Sequence, residues 1–479
     1  MQHHAPVEVP APDGLSWWFE EALAAEGGLP PVAPAPSGSV SCDVLVVGGG
    51  FTGLWTALLL LEKSPGLKVM LIEAGRCGAG ASGRNGGKVH GYWGSLGTMA
   101  ANFGADKALE IARLGTRAQD RIRAFATAPG RDVWWREAGN LRVATTPAQQ
   151  LKAEASVKLA ARLGVPDTAR ALSRVELAER VSSPVFLSGI SLPEGANVQP
   201  ARLARSLMRA CLEAGVTVCE NTPMLSLDEG RPNRVRHPSG EILAAEVVLA
   251  TNTALAGHPL VARSLALFSS YAVMTQACDD IGGTLGWRGE EGIADLRMFV
   301  HYFRKAENRR LLMGSGSGPI AWGARHDSPV LTDDGASAGR AVAAIARFFP
   351  VIAGLGIAKS WGGGIDISPD RLPFFRSTAG GHVHLGAGFS GHGVNATCIA
   401  GECLSGLALG RKDDWTGSLF CTRPLPVFPP EPLRTLGGRM VRAAILGCEN
   451  AEEHGGRGTP VHRGVAALPK LLGIKVGTR

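Results

Sequence analysis

The chain has 479 residues, which is too long for one ordinary hydrophobic core, so its length predicts two packed domains. Hydrophobic residues make up 45% of it and charged residues 19%, a composition that excludes a disordered protein. The net charge is +7, yet lysine and arginine are scattered rather than clustered, which argues against a nucleic-acid partner.

The 9 cysteines are dispersed and include no C-x-x-C pair, which indicates reduced thiols in a reducing compartment. No apolar run approaches the length of a membrane span, and the N-terminus lacks a basic region followed by an apolar stretch. We therefore expect a soluble, cytoplasmic protein whose partners include neither a membrane nor a nucleic acid. No spacing of histidine, cysteine and carboxylate residues is typical of a metal site, so no metal is expected.

The first predicted elements form a βαβ unit. Residues 16–25 are predicted to form a short helix, and the Pro-rich stretch 27–41 is predicted to be an extended linker. The pattern then changes abruptly. Residues 43–47 form a nearly continuous apolar strand, residues 52–63 have helical spacing, and residues 68–72 form a second apolar strand.

The middle of the chain predicts helices followed by an antiparallel sheet. Residues 105–180 have helical spacing, interrupted near 134–143 by a stretch that predicts a strand pair. Residues 266–316 alternate in the manner of an antiparallel sheet, and a helix is predicted at 336–348. Beyond residue 422 the chain is a Pro-rich tail with weak periodicity.

The strongest motif is GGGFTG at residues 48–53, which follows a buried strand and opens a helix. Gly48 permits a tight turn, Gly50 lets the backbone approach a pyrophosphate, and Gly53 allows the helix to pack closely on the strand. The helix N-terminus offers unpaired N–H groups and a partial positive charge to phosphates. Glu73 ends the second strand, where its carboxylate can accept hydrogen bonds from ribose hydroxyls. The motif predicts an adenine dinucleotide.

A second glycine-rich segment, RCGAGASGRNGGK at residues 76–88, indicates which dinucleotide is bound. A nicotinamide cofactor needs no such loop at this point. FAD, by contrast, needs backbone along its ribityl chain and the edge of its ring. The donors Ser82, Arg84 and Asn85 recur among the glycines, which a flexible surface loop does not explain. The segment favours FAD.

Three motifs together resemble a known family. GASGRNGG at 80–87, WGGGIDISPDRLP at 361–373 and LGAGFSGHG at 385–393 occur in the order found in the D-amino-acid oxidase (DAO) superfamily. Within it, the chain is most similar to γ-glutamylputrescine oxidase-like amine oxidases, over roughly residues 15–435. The resemblance implies an α/β fold with a Rossmann-like FAD-binding domain. It also implies a discontinuous α+β substrate domain whose antiparallel sheet covers the flavin.

On this basis the chain is divided into four parts. An N-terminal extension and linker occupies residues 1–40, and a C-terminal tail occupies residues 423–479. The FAD-binding domain is predicted to comprise residues 41–95, 181–262 and 356–422. The substrate domain is predicted to comprise residues 96–180 and 263–355.

The third motif also has a physical interpretation of its own. Residues 386–393 form a glycine-rich turn before an apolar helix at 394–409, so a second helix N-terminus points at a ligand. In the family this end faces flavin N1 and the C2 carbonyl, where negative charge accumulates on reduction. His392 is the one titratable residue of the turn. Both a backbone hydrogen bond and a direct flavin contact remain open for it.

Two departures from sarcosine oxidases of the superfamily bear on cofactor and substrate. Those enzymes attach their flavin through a cysteine near the position of residues 362–364, which are glycines here, so the resemblance implies non-covalent FAD. Their lysine for the substrate carboxylate corresponds to Asn395, and their lysine for the reaction with oxygen corresponds to Leu312. A simple N-methyl amino acid is therefore not the expected substrate.

Lys88 and His90 lie just past the flavin-contact loop, at a position that in the family passes near the reactive face of the flavin. Lys88 is expected to orient water or oxygen near flavin N5. The alternative is that it points into solvent.

The strand around residue 302 supplies the remaining candidates. Tyr302 alternates with His301 and Phe303, so either Tyr302 or the other two face the flavin, but not both. Arg304 shares the face of Tyr302 and could hold an anionic substrate tail, and Arg297 is a weaker candidate for that role. The predicted catalytic residues are Lys88, His90, Tyr302 and Arg304.

The predicted FAD contacts come from the GGGFTG turn, from the second glycine-rich segment, from the turn at 386–393 and from residues that follow strands of the same domain. They are Gly48, Gly50, Phe51, Thr52, Gly53, Glu73, Ala74, Ser82, Arg84, Asn85, Gly86, Gly87, Met224, Thr251, Asn252, Gly388, Phe389, Ser390, Gly391, His392 and Gly393.

The expected reaction is oxidation of a C–N bond in a small amine or amino acid. A hydride passes to flavin N5, and the resulting imine hydrolyses to a carbonyl compound and ammonia or a smaller amine. Molecular oxygen then takes the electrons and becomes hydrogen peroxide. Two alternatives remain. One is a dehydrogenase that passes electrons to a quinone or a partner subunit, and the other is a non-catalytic flavin-binding subunit.

Overall fold

The computed structural model describes residues 9–11, 14–27, 33–471 and 474. Residues 28–32 of the predicted linker therefore lie outside the described residues. So do residues 472–473 and 475–479 at the end of the predicted tail.

The described residues form helices and strands in alternation. The helices are α1 (Trp17–Ala25), α2 (Phe51–Lys63), α3 (Leu96–Phe103), α4 (Ala105–Ala126), α5 (Pro147–Arg162), α6 (Arg174–Ala178), α7 (Pro200–Glu213), α8 (Ile281–Thr284), α9 (Gly335–Phe348), α10 (Gly393–Ala408), α11 (Leu419–Thr422), α12 (Leu433–Glu453) and α13 (Pro460–Leu471). The strands are β1 (Gly38–Val47), β2 (Val69–Ile72), β3 (Lys88–Val89), β4 (Asn140–Ala144), β5 (Arg170–Leu172), β6 (Ser188–Leu192), β7 (Ala196–Asn197), β8 (Thr217–Cys219), β9 (Ser226–Asp228), β10 (Asn233–His237), β11 (Gly240–Leu249), β12 (Ala266–Thr275), β13 (Gly292–Asp295), β14 (His301–Ala306), β15 (Arg310–Ser315), β16 (Ile357–Ile367), β17 (Phe374–Ser377) and β18 (Val383–Ala387).

The first large sheet is parallel at its centre. Its strand order is β17-β18-β11-β1-β2-β8, with β10 and β9 added beside β11. Strand β1 is nearly all apolar at its C-terminal end because both of its faces are covered. Val44 and Val46 pack with α2, whereas Leu45 and Val47 pack in a second core cluster on the other face. This sheet confirms the predicted Rossmann-like βαβ unit.

The second large sheet is antiparallel except for one parallel pair, β4 with β13. Its order is β16-β12-β15-β14-β13-β4-β6-β5. Together the two sheets confirm the predicted fold class. Strands β6 and β16 both belong to this second sheet, where β6 pairs with β4 and β5 and β16 pairs with β12. The segments that contain these two strands were predicted to belong to the FAD-binding domain. The exact domain boundaries remain a prediction.

Three local predictions were wrong. The predicted strand pair near 134–143 is the single strand β4, because the preceding stretch turns at Trp134, which has φ 54°. The linker ends before residue 41, since β1 already pairs with β11 from Gly38 onward. The tail contains two amphipathic helices, α12 and α13, which pack on each other through Ile445 and Ala466.

Candidate active site

The turn between β1 and α2 brings main chain very close to main chain. Gly48 has φ 112°, and a Cβ atom there would lie 2.6 Å from the Ala250 carbonyl oxygen. A Cβ atom on Gly53 would lie 1.9 Å from the Gly48 carbonyl oxygen. Because only glycine fits at these two positions, α2 begins directly at the end of β1. The residues at its N-terminus line a large cavity, as an anion-binding helix end requires.

Glu73 stands beside this turn at the end of β2. Its two carboxylate oxygens accept hydrogen bonds from the N–H groups of Gly49, at 2.7 Å, and Gly75, at 2.9 Å. These bonds fix the orientation of the carboxylate at the cavity wall. Each oxygen retains a second lone pair, so Glu73 can still accept hydrogen bonds from ribose hydroxyls.

The second glycine-rich segment is held by its own side chains. The Asn85 side chain donates to the Ser82 carbonyl oxygen at 2.8 Å and accepts from the Gly87 N–H at 2.8 Å. The Arg84 guanidinium donates to the carbonyl oxygens of Ala79, at 3.1 Å, and Gly362, at 3.0 Å. The loop is therefore ordered by hydrogen bonds within itself and to β16, while its backbone faces the cavity.

Asp366 orders the third motif. Its buried carboxylate accepts hydrogen bonds from the N–H groups of Gly388, at 2.5 Å, and Phe389, at 3.2 Å. Burial raises the pKa of Asp366 to about 7, and these two backbone bonds act in the opposite direction. Asp366 thus ties the turn before α10 to β16. Asp366 belongs to the second family motif, residues 361–373, and the sequence had indicated no role for it.

One cavity of about 1450 Å³ connects the three motifs with the second sheet. Pockets for a drug-sized ligand are typically about 300–1,000 Å³, so this one has room for a dinucleotide together with a small substrate. The predicted FAD contacts that line it are Gly48, Gly50, Phe51, Thr52, Glu73, Ala74, Ser82, Arg84, Asn85, Gly86, Met224, Thr251, Asn252, Phe389, Ser390, Gly391, His392 and Gly393. These residues would hold FAD.

Three glycines predicted as contacts do not line the cavity: Gly53, Gly87 and Gly388. Each is a close-packing position instead. A Cβ atom on Gly87 would lie 2.1 Å from the Val198 carbonyl oxygen, and one on Gly388 would lie 3.0 Å from the Ser368 side chain. Both have positive φ, 69° for Gly87 and 81° for Gly388, which favours glycine. They shape the loops without facing the ligand.

The structure resolves which face of β14 looks into the cavity. Tyr302 lines it, and its hydroxyl lies 3.0 Å from Ser270 Oγ. His301 and Phe303 point the other way: His301 Nδ1 lies 3.0 Å from Asp295 Oδ2, and Phe303 packs in the apolar core with Phe348. Tyr302 is therefore the member of the strand placed to contact FAD or substrate.

Arg304 shares the face of Tyr302 but does not line the cavity. Its guanidinium carbon lies 4.8 Å from the centre of the Trp18 ring, in a cation–π contact beneath the loop at Gly87. The predicted role of Arg304 in holding a substrate tail does not fit this position. Arg304 is two residues further along β14 than Tyr302, and at that distance its side chain lies beyond the edge of the cavity. Arg297, the weaker candidate, does line the cavity and pairs with Asp295 at 3.3 Å.

Lys88 lies on the short strand β3 and faces the cavity rather than bulk solvent. Burial, together with the positive charge of Arg142, lowers the pKa of Lys88 to about 7, and the charge of Asp295 acts in the opposite direction. A Cβ atom added to Gly292 would lie 3.0 Å from Lys88 Cε, so the strand β13 packs against the lysine stem. A lysine with this pKa can exchange a proton near neutral pH.

His90 and His392 form an edge-to-face pair, with ring centres 5.5 Å apart. Burial lowers the pKa of His90 to about 4 and lowers the pKa of His392 well below its usual value. Both rings are therefore neutral at pH 7. Their Nδ1 atoms lie 3.2 Å from the carbonyl oxygens of Gly91 and Ser390 respectively, so Nδ1 carries the hydrogen and Nε2 has a free lone pair.

Sequence reasoning missed Arg142 and Arg371, which also line the cavity. Arg142 lies on β4, within the stretch 134–143 that was predicted to form strands, but nothing in the sequence showed that its side chain faces the cavity. Arg371 lies within the second of the three family motifs, residues 361–373, but nothing in the sequence showed that its side chain enters the site. Asn395, at the position of the family's carboxylate-binding lysine, donates to the Gly115 carbonyl oxygen at 2.9 Å and does not line the cavity.

A family model for FAD-dependent oxidoreductases, DAO, matches residues 43–407. The chain belongs to the DAO family. Its relatives include the probable oxidoreductase OrdL of Rhizobium meliloti, 30% identical over 91% of this chain and 96% of that protein. The gamma-glutamylputrescine oxidoreductase of Escherichia coli is 28% identical over 84% of this chain and 90% of that protein.

A solved DAO-like structure, the glycine oxidase of Geobacillus kaustophilus, has a TM-score of 0.66 and 18% identity, covering 82% of this chain and 99% of that one. Membership of the DAO family confirms the prediction of an FAD-dependent oxidoreductase. In the described part of this DAO-family chain, no helix is long and apolar enough to cross a membrane. The same residues contain no group of three histidine, cysteine or carboxylate side chains placed to hold a metal ion.

Substitutions in the β1–α2 turn should weaken FAD retention. In Gly50→Val the side chain would begin 3.0 Å from Ser82 Oγ and fill the space that a pyrophosphate needs, so most FAD should be lost. Glu73→Ala removes the ribose acceptor and should weaken FAD binding about tenfold. The measurement is the ratio of flavin to protein absorbance after purification.

Two matched variants serve as controls for these changes. Gly339→Val introduces the same side chain into α9, where a Cβ atom meets nothing within 4 Å. Glu154→Ala removes an exposed carboxylate from α5. Full flavin content in both Gly50→Val and Glu73→Ala would refute the assignment of the turn to FAD.

Proposed function

We propose that the chain is an FAD-dependent oxidase that oxidises the C–N bond of a small amine or amino acid. The main support is that one cavity joins the dinucleotide turn to a buried chamber containing Lys88, His90 and Tyr302. The relatives agree in chemistry, since gamma-glutamylputrescine oxidoreductase and glycine oxidase are named for an amine and an amino acid. Bound FAD supplies the acceptor for a hydride from the carbon next to nitrogen.

The chamber favours the neutral form of the amine, which alone has a lone pair to assist hydride loss. Charged ammonium is costly where dense protein replaces water. Burial lowers the pKa of His90 and His392 so far that both are neutral at pH 7 and are weak bases, so the incoming ammonium gives its proton to water rather than to either ring. Water then hydrolyses the imine to a carbonyl compound and ammonia or a smaller amine. Oxygen takes the two electrons and becomes hydrogen peroxide.

The central test is anaerobic mixing of the purified holoprotein with polyamines, amino acids and aminophosphonates. At least one compound should bleach the flavin absorbance, and subsequent air should restore it with one peroxide formed per flavin. Bleaching with little peroxide on exposure to air would instead favour a dehydrogenase that uses a quinone or a partner subunit. Failure of every compound to bleach the flavin would leave a non-catalytic flavin-binding subunit as the better interpretation.

We propose further that FAD is held without a covalent bond. None of the residues that line the cavity is a cysteine, and the segment 362–364 is glycine in β16. Precipitation of the protein with acid should therefore release intact FAD into the supernatant. Flavin colour that remains in the washed pellet would contradict this.

Lys88 is proposed to promote the reaction with oxygen. In Lys88→Met, reoxidation of the reduced flavin should slow by about tenfold or more, because the charge that stabilises a developing superoxide is lost. Anaerobic reduction should change little. The pKa of Lys88 is about 7 and should rise when negative charge forms on the flavin, so reoxidation should slow as the pH rises above 7, and the variant should lose that dependence.

Stopped-flow measurement of the two half-reactions tests the role of Lys88. Lys158→Met, which removes an exposed lysine from α5, is the control. If Lys88 instead holds an anionic substrate group, the apparent substrate affinity falls and reoxidation is unaffected. No change in either half-reaction would exclude Lys88 from both roles.

A further inference from the structure

The C-terminal helix pair, α12 and α13, lies outside the part of the chain that the family model matches, yet it reaches the cavity wall. The match ends at residue 407, whereas α12 begins at Leu433. Residues 296–300, the wall loop between β13 and β14, all line the cavity. Met298 and Phe299 of this loop also pack against the apolar core that α12 and α13 share. The wall loop therefore lies between the substrate chamber and the helix pair.

Glu449 of α12 holds the wall loop by its main chain. One oxygen of its carboxylate accepts a hydrogen bond from the Met298 N–H at 2.8 Å. Glu449 is 2% exposed, and a carboxylate is costly to bury unless it is hydrogen-bonded. Because this bond is made in the middle of the loop, loss of the carboxylate would release the loop at the point where it lines the chamber.

A second carboxylate of α12 reaches the same loop one helical turn later. Glu453 contacts the Arg297 guanidinium and pairs with Arg347 at 2.9 Å. The base of the loop is closed from within, since Asp295 accepts from the N–H groups of Arg297, at 3.3 Å, and His301, at 3.0 Å. The loop is thus fixed at its base by its own residues and at its centre by α12.

The helix α12 is anchored to the rest of the molecule independently of the wall loop. Near its start, the Arg434 guanidinium donates to the carbonyl oxygens of Ala262, at 2.7 Å, and Leu265, at 2.9 Å. Further along, Arg442 Nε donates to the Gly318 carbonyl oxygen at 2.8 Å. None of these three carbonyl groups belongs to a residue that lines the cavity. These contacts make α12 a fixed support from which Glu449 can position the loop.

The wall loop is mainly apolar where it lines the chamber. Leu296, Met298, Phe299 and Val300 contribute hydrocarbon and sulfur atoms. The charge of Arg297 is balanced by the carboxylates of Asp295 and Glu453. A polar group buried against such a wall would lose its hydrogen bonds to water, whereas an apolar group would gain from leaving water. The wall therefore favours an apolar substituent on the ligand.

We propose that the C-terminal helix pair sets the substrate preference of the chamber, by positioning a wall loop that selects amines with an apolar substituent. Glu449 is the positioning residue, because it touches the loop and not the substrate. The inference rests on the proposed oxidase function and narrows its substrate class. It gives a role at the site to a part of the chain for which the sequence predicted only a weakly periodic tail.

The first experiment measures anaerobic flavin reduction of the holoenzyme by homologous amines. The series starts from an amine that reduces the flavin and varies only the length of an unbranched alkyl substituent, with a terminal hydroxyl in a parallel series. The apparent dissociation constant should fall about two- to fourfold for each added methylene group, and the hydroxyl should cancel this gain. Equal affinity throughout both series would overturn the apolar wall while leaving the oxidase function intact.

Variants of α12 then separate positioning from mere stabilisation. Glu449→Ala should raise the apparent dissociation constant of the longest homologue about tenfold and flatten the dependence on chain length, with little change in the limiting rate of reduction. Glu449→Gln keeps an acceptor for the Met298 N–H and should restore most of the affinity. Arg434→Ala loosens the other end of α12 and Asn450→Ala changes an exposed neighbour, so both should retain the affinity of the wild type.

The melting temperature of each variant completes this comparison. Arg434→Ala and Glu449→Ala should both lower it, because each removes hydrogen bonds of α12, but only Glu449→Ala should alter the selectivity for chain length. If the two variants lose similar stability and both keep the selectivity of the wild type, Glu449 has only a structural role and the proposal is refuted. Should Glu449→Ala fail to fold, Glu449→Asp, which draws the acceptor back by one carbon, and Phe299→Ala, which removes part of the wall, decide the question.

Two readouts that need no turnover separate this proposal from the oxidase function. Hydrogen exchange of the Met298 amide in the holoprotein should speed up about tenfold or more in Glu449→Ala and return towards the wild-type rate in Glu449→Gln. Amines without a hydrogen on the carbon next to nitrogen cannot give up a hydride, so their binding is followed by the perturbation of the flavin spectrum. If no amine reduces the flavin but these amines show a dependence on chain length that Glu449→Ala abolishes, the oxidase function fails and the wall stands. Unchanged exchange and unchanged binding in Glu449→Ala would overturn the positioning role.

Discussion

The contact on which the site depends is the approach of Gly53 to the Gly48 carbonyl oxygen. Because neither position has room for a side chain, α2 must leave β1 at once, and its N-terminus opens at the sheet edge. The same turn is closed from two sides. Ala250, after β11, lies against Gly48, and Cys77 lies against Gly49, where a Cβ atom would be 2.4 Å from its Sγ. Three distant segments of the chain therefore converge on one turn.

The N-terminal segment stabilises this site through contacts with the second glycine-rich segment. Ser16 Oγ donates to the Gly83 carbonyl oxygen at 2.5 Å, and the Arg84 guanidinium reaches the Gly14 carbonyl oxygen. Trp361 Nε1 donates to the Arg84 carbonyl oxygen at 2.8 Å, which ties the loop to β16 as well. The loop that faces the cofactor is thus held between α1 and the second sheet. A segment that the sequence presents only as an extension is part of the support of the cofactor site.

Features that depend on a few neighbouring residues could be predicted from the sequence. Features that depend on contacts between distant segments of the chain could not. The turn at Gly48 follows from glycine conformation alone, so the motif was sufficient. The orientation of Tyr302 depended on strand register, and the sequence reduced it to two alternatives. Arg304 illustrates the limit: alternation placed it correctly on the face of Tyr302, but only the packing of Trp18 determines that the cavity ends before it. Arg142 carried no signal because its partners come from distant segments.

The charges of the chamber connect proton and electron transfer. Negative charge that develops on the flavin during reduction favours protonated neighbours, so the pKa of Lys88 should rise from about 7 as electrons arrive. More of the ammonium needed for the reaction with oxygen would then be present after substrate has delivered its hydride than before. Flavin reduction and the protonation of Lys88 are thereby coupled through the charge of the site.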